Sequence, residues 1–210
     1  MKLTIFGATG RTGKHLVRHA LARGHEVVAY IRTPGKLDIQ HHQLHIVVGD
    51  VQDKEKVAQA VEGADAVINA IGPSPNSPKD LMETTARNIV SAMKMHHVQR
   101  LIWSTGAGIR APQDQPSLMH KAFGILLKLM SPRVLESAGK GAQIIQSSDL
   151  QWTIARAPML TYETRSADFY IGYVNSEMGR TLSRENYAKF MLDLAEGDDW
   201  VQDMPAASDR

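Results

Sequence analysis

Apolar and polar positions follow two rhythms along the chain, and their order predicts strands and helices in turn. Leu3-Thr4-Ile5-Phe6 is a short apolar run stopped by Gly7, and from Arg11 to Arg23 the residues Leu16, Val17, Ala20 and Leu21 fall on one helical face before Gly24. Glu26 to Ile31 and Leu44 to Val48 read as second and third strands, the latter running into Gly49-Asp50. Asp53 stands where a cap belongs, ahead of a helix through Val57 and Val61 to Gly63. Asp65 to Ile71 is a fourth apolar run. The three prolines between Gly72 and Pro78 exclude helix and interior strand, so that segment is a loop.

A helix from about Asp80 to His97 carries Leu81, Ile89, Val90 and Met93 inward, and Arg100 to Trp103 returns as a fifth strand. Beyond it lie a loop rich in Gly and Pro from Thr105 to Pro116, an apolar helix from Ala122 to Met130, and another helix before Trp152. Trp152 to Arg156 reads as a sixth strand. Ser183 caps a last helix through Ala188, Met191 and Leu192 to Gly197, and Ala206 to Arg210 are expected to fray. Strands apolar on both faces, alternating with helices, predict a Rossmann-like α/β fold: a doubly wound parallel sheet flanked by helices. No repeat or linker divides residues 1–210, which read as a single domain.

Composition narrows the chemistry. The chain has 210 residues, is 43% hydrophobic, and balances 24 Lys and Arg against 22 Asp and Glu. The net charge of +2 is spread along it, which disfavours nucleic acid as a partner. The absence of cysteine removes disulfides, thiolate metal sites and thiol nucleophiles, so any redox chemistry must use a borrowed cofactor. No stretch reads as a signal peptide or a membrane span, and a cytoplasmic protein, monomeric or weakly dimeric, is expected.

The candidate chemistry begins at Gly7-Ala8-Thr9-Gly10-Arg11-Thr12-Gly13, placed between a buried strand and the start of a helix. Glycines there allow a tight turn, close backbone approach to a pyrophosphate, and close packing of helix on strand, while the helix N-terminus offers free N–H donors. Thr9 and Thr12 add hydroxyls. The second strand ends beside the adenosine ribose, where an acid would accept from a free 2′-hydroxyl and repel a 2′-phosphate. Here it ends Tyr30-Ile31-Arg32-Thr33, with Lys36 beyond. Arg32, Lys36 and Arg11 are candidates to surround a 2′-phosphate, making NADPH the expected cofactor and NADH the lesser one. Asp38, the nearest acid, lies past a Pro-Gly turn and is poorly placed as a ribose ligand. Asp50 and Val51 suit an adenine contact, and Ala70, Ile71 and Gly72 would pass beneath the nicotinamide-side ribose. Ser104 and Pro158, at the ends of the fifth and sixth strands, complete the cofactor assignment.

Gly7-Ala8-Thr9-Gly10-x-x-Gly13, Gly49-Asp50-Val51, Asp65-Ala66-Val67-Ile68, Ala86-Arg87-Asn88-Ile89-Val90 and Trp152-Thr153-Ile154-x-Arg156-x-Pro158 resemble the atypical short-chain dehydrogenase/reductases. Within these the chain is most similar to the NmrA-like NAD(P)H-binding proteins and to the flavin reductases of the biliverdin reductase B type. The match is close from Lys2 to Thr105, looser from Ser148 to Gly197, and weak between. The resemblance implies a cofactor lying across the C-terminal strand ends and a small substrate cleft shaped by residues 106–147 and 157–182, lined by Pro73 to Pro78, Thr105 to Ile109, and Pro158 to Tyr162.

Ordinary short-chain dehydrogenases use a Tyr-x-x-x-Lys pair for proton transfer. Tyr30, Tyr162, Tyr170, Tyr173 and Tyr187 all lack a lysine four residues on, which argues against that mechanism. Ser104 and Thr105 follow the fifth strand, and Thr105 is the candidate donor to a carbonyl or flavin edge. The serine and histidine of the related flavin reductase are replaced here by Gly106 and Met159. Hydride transfer to a flavin or quinone needs no strong protein acid, because such acceptors are electrophilic and take their proton from water. The expected function is therefore an NADPH-dependent reductase of flavins, quinones or similar acceptors; the alternative is a non-catalytic NmrA-like redox sensor that docks a regulatory protein. No metal site is expected: His41, His42 and His45 read as solvated loop residues, and His96-His97 as a helix end. His120-Lys121 and the stripe Phe123, Ile125, Leu126, Leu127, Leu129 and Met130 lie near the expected cleft.

Overall fold

The computed structural model describes residues 1–74, 76–118, 128–163 and 168–210. Its centre is β1 (Lys2–Phe6), whose residues Leu3 to Phe6 are fully buried. Side chains alternate between the faces of a strand. Leu3 and Ile5 accordingly join one core and Phe6 the other. Thr4, turned to the second face, satisfies its buried hydroxyl on the Ala60 carbonyl at 2.6 Å.

β1 pairs in parallel with β2 (Glu26–Ile31) on one side and β4 (Ala66–Asn69) on the other. β3 (Leu44–Val48), β5 (Arg100–Gly106) and β6 (Gln151–Ala157) extend the sheet, to which β10 (Ala206–Asp209) and β8 (Phe169–Gly172) are added, in the order β3-β2-β1-β4-β5-β6-β10-β8. Among the described residues only the β10–β8 pair is antiparallel. Two further strands, β7 (Met159–Thr161) and β9 (Thr181–Ser183), form a separate parallel ribbon.

Helices cover the sheet from both sides. α1 (Gly13–Ala22) and α5 (Arg184–Glu196) pack on one face through Leu16, Val17, Ala20, Tyr187, Phe190 and Met191. α2 (Lys54–Val61), α3 (Leu81–Met95) and α4 (Pro132–Gln146) pack on the other through Val57, Met82, Ile89, Met93 and Ile145. The expected doubly wound α/β domain is what forms. Because the winding reverses between β1 and β4, a crevice opens at their C-terminal ends, where ligands bind in such sheets.

The caps at Asp53 and Ser183 hold as expected: Asp53 accepts from the Lys56 N–H at 3.1 Å and Ser183 from the Asn186 N–H at 3.0 Å. Three expectations need correction. Ala206 to Arg210 do not fray, because Ala206 to Asp209 enter the sheet between β6 and β8 and are buried. Their small side chains carry no apolar rhythm, so the strand is created by its neighbours. β3 is not covered on both faces; as an edge strand it leaves Ile46 and Val48 exposed. β5 runs to Gly106 rather than Trp103, since β6 pairs with it as far as Gly106 and Ala157. Most of the helix expected over 122–130 lies outside the described residues, where Leu129 and Met130 alone of its apolar stripe are seen, both exposed.

Candidate functional site

The turn from β1 into α1 is shaped by backbone contacts that admit no side chain at two positions. Gly7 has φ +79°, and a Cβ there would lie 2.8 Å from the Ile71 nitrogen and 2.9 Å from the Ala70 carbonyl carbon. A Cβ at Gly13 would strike the Gly7 carbonyl oxygen. The loop is closed by the Gly10 N–H on the Gly7 carbonyl at 2.9 Å and by the Lys14 N–H on the Gly10 carbonyl at 3.0 Å. Thr12 sits at the N-cap without capping through its hydroxyl, and no acid occupies the first turn of α1. Backbone donors and a helix dipole thus face the crevice without a competing anion, which is what a dinucleotide pyrophosphate requires.

Arg32 and Lys36 follow β2 at the expected place, both exposed and neither paired with a described residue. Asp38 is held by Lys14 Nζ at 2.7 Å, and that hydrogen bond holds its carboxyl below the ordinary range. The acid nearest in sequence is thereby paired with Lys14 and not with Arg32 or Lys36. Arg11 turns elsewhere: its Nη1 donates to the Tyr162 hydroxyl at 3.1 Å.

Asp50 and Val51 are held rigidly at the end of β3. Tyr30 donates to the Asp50 carbonyl at 2.8 Å, the Asp50 carboxylate accepts from the Gln52 N–H at 3.0 Å, and buried Asn88 of α3 donates to the Val51 carbonyl at 2.7 Å. Burial together with nearby Asp53 and Asp50 pushes the Tyr30 hydroxyl well above its usual range, so it stays a donor. After β4, the Asn69 carboxamide accepts from the Ile71 N–H at 3.3 Å, fixing the path of Ala70, Ile71 and Gly72 beside Gly7.

Ser104 and Thr105 lie within β5, so their side chains point to opposite faces. Tyr187 is buried beneath the strand ends and donates to the Ala155 carbonyl at 2.8 Å. Burial pushes the Tyr187 hydroxyl up to about 12. The Thr105 hydroxyl, though buried, has no hydrogen-bond partner among the described residues. Pro158 joins β6 to β7, and Met159 beyond it is exposed. His120 lies outside the described residues. His41 and His42 stack on each other, and His45 faces Glu26 at 3.6 Å.

The sequence model of a family described as NAD(P)H-binding matches residues 7–198. The chain belongs to this NAD(P)H-binding family. The glycine cradle, the uncapped α1 N-terminus and the strand order are consistent with the NAD(P)H binding that describes this family. The uncharacterized protein YwnB of Bacillus subtilis is 35% identical over 108 residues, covering 51% of this chain and 48% of that protein. Among curated relatives generally, the matched part spans about a third to a little over half of the relative's length. A short-chain dehydrogenase/reductase from Veillonella parvula, solved with NADP, superposes with a TM-score of 0.79 at 20% identity, over 99% of this chain and 94% of that one. ChuY, an anaerobillin reductase from Escherichia coli O157:H7, gives 0.78 at 19% identity, over 100% and 97%. At these identities the structures establish the shared fold, in keeping with the atypical short-chain dehydrogenase/reductase resemblance.

Within this NAD(P)H-binding domain, several site-shaping residues carry no role in the sequence reading. Arg156, fully buried in β6, forms a two-pronged pair with Asp114 at 2.6 and 2.8 Å and donates to the Ile109 and Met204 carbonyls. A charge between Ala155 and Ala157 in an apolar strand signals that a partner must exist. Nothing in the loop sequence points to Asp114. Tyr162 and Arg184 likewise meet Arg11 only in three dimensions, with both guanidinium groups against the Tyr162 ring.

Proposed function

We propose that this protein is an NADPH-dependent reductase that passes hydride to a flavin, a quinone or a similar small electrophilic acceptor. The observation that carries the reading is the pairing of Lys14 with Asp38, which leaves Arg32 and Lys36 as cations without a partner among the described residues, beside the expected adenosine ribose. Gly7, Thr9, Gly10, Thr12 and Gly13 then take the pyrophosphate region, Asp50 and Val51 the adenine, and Ala70, Ile71, Gly72, Ser104 and Pro158 the nicotinamide side, while Arg11, turned to Tyr162, is left out of the cofactor site. NADPH, when bound, supplies hydride to the acceptor, and the proton completing the two-electron reduction comes from water.

The chain's own part is to position and to exclude water. The family's open cleft would be walled by residues 106–147 and 157–182, with Arg156 and Asp114 fixing the first of these segments to the sheet. Thr105 offers an unsatisfied hydroxyl at the end of β5, suited to a carbonyl or carboxamide. Tyr187 stays protonated and committed to the Ala155 carbonyl, so it does not serve as an acid.

Stopped-flow or steady-state loss of absorbance at 340 nm, with NADPH and a panel of flavins and quinones, tests the reading. Acceptor-dependent oxidation supports it; no turnover across the panel, with tight NADPH binding intact, overturns it. The commitment of Tyr187 to structural bonds also suits a second reading, a nucleotide-occupancy sensor. That reading expects a protein partner whose capture differs between NADP⁺ and NADPH.

A further inference from the structure

Tyr162 follows β7, and Arg184 begins α5 directly after β9, so the small ribbon brings both to the glycine loop. There Arg11 donates to the Tyr162 hydroxyl, and the Arg184 guanidinium lies 4.4 Å from the centre of the Tyr162 ring. Arg184 is only 8% exposed, and its Nη1 is buried with no hydrogen-bond partner among the described residues. Neither arginine has a carboxylate partner among the described residues; neighbouring Glu185 is taken by His19 and Lys189. The Tyr162 ring is 71% exposed.

A buried guanidinium without a counter-ion is costly, and a cation–π contact offsets only part of that cost. Two like charges gathered around one exposed ring make the arrangement worse unless an anion completes it. We infer that Arg184 and Arg11 form a second anion subsite, which takes a phosphate or carboxylate carried by the acceptor, with the Tyr162 ring as a displaceable placeholder. This rests on the reductase reading above.

Two features assign the subsite to the acceptor rather than the cofactor. The cofactor's pyrophosphate already has the N-terminus of α1, and its 2′-phosphate has Arg32 and Lys36 after β2, across β1 from the ribbon. Arg184 and Tyr162 instead belong to the C-terminal third that borders the expected cleft. An acceptor with an anionic tail would reach from the nicotinamide to the two arginines.

Flavin mononucleotide and riboflavin share a ring system and differ by a phosphate, so they isolate the subsite. Binding of each to the NADP⁺-loaded full chain, read by flavin fluorescence quenching, requires no turnover. Wild type is expected to favour the mononucleotide on the order of tenfold or more. Arg184→Gln and Arg11→Gln should each bring that ratio toward one, while the NADPH dissociation constant stays within about twofold. Arg184→Lys, which keeps the charge, should retain part of the preference, and Arg87→Gln on the distant face of α3 should retain all of it. Indifference of wild type to the phosphate, or no binding of either flavin, overturns the subsite; so does an equal loss of NADPH affinity in Arg184→Gln, which would give the arginines to the cofactor. Arg11→Gln alters an exposed residue and keeps the test readable if Arg184 variants do not fold. Missing turnover with intact preference would sink the reductase reading alone.

Discussion

Arg156 of β6 and Asp114 of the loop after β5 meet in a two-pronged ion pair, at 2.6 and 2.8 Å, with both side chains almost wholly buried. Burial pushes the Asp114 carboxyl up, but the Arg156 hydrogen bonds and charge and the Ala111 and Val174 N–H groups outweigh it and hold it below its ordinary value. A carboxyl depressed on folding contributes stability above its unfolded pKa of about 3.9 and loses it as pH falls through the folded value. The protein should therefore lose stability below about pH 4. Asp114→Asn should flatten that slope and destabilise by about 3–5 kcal/mol, since it strands a buried guanidinium. Chemical denaturation at several pH values reads both effects.

The glycine loop makes a steric prediction. Gly13→Ala drives a methyl group into the Gly7 carbonyl, and Gly7→Ala adds unfavourable φ to contacts with Ala70 and Ile71. Each should cost about 1–3 kcal/mol of stability and weaken NADPH binding more than tenfold. Thermal melts with and without NADPH separate the two losses, because a purely structural glycine would leave the ligand-induced stabilisation intact.

The unpartnered Thr105 hydroxyl separates a structural from a functional role. Thr105→Val removes a buried polar atom that bonds to none of the described residues, so stability should hold within about 0.5 kcal/mol or improve. If the hydroxyl serves the acceptor or carboxamide, kcat/KM should fall about three- to tenfold. Unchanged kinetics would return Thr105 to a strand-ending role.

These sites differ in how far the sequence discloses them. Gly7, Gly13 and the Asp53 and Ser183 caps act within a few residues of themselves, and local spacing is enough to find them. The apolar runs of β1, β4 and β5 are buried on both faces, so they too are visible as patterns. β10 is different: Ala206 to Asp209 are two alanines, a serine and an aspartate with no apolar alternation, and pairing with β6 and β8 makes them a strand. The same holds for Arg11, which sequence position groups with Arg32 but which the ribbon gives to Tyr162. Asn88 and Asp114 are hidden for the same reason, since their partners are 37 and 42 residues away.

The C-terminal strand gives a further prediction. Asp209 accepts from the Ser183 N–H and the Asn186 carboxamide, both at 3.0 Å, and so anchors the start of α5. Asp209→Ala should cost about 1–3 kcal/mol. Removal of residues 206–210 should cost considerably more by opening the sheet between β6 and β8. Marginal effects of the truncation on the thermal midpoint would contradict this placement.

Arg32 and Lys36, without a partner among the described residues, are proposed to select NADPH at the crevice between β1 and β4. Equilibrium titration of the wild type and Arg32→Glu with NADPH and NADH tests it most directly. The account predicts at least roughly tenfold tighter binding of NADPH by the wild type, and loss or reversal of that preference in Arg32→Glu. Equal affinities for the two nucleotides, or an NADPH affinity untouched by Arg32→Glu, would contradict it.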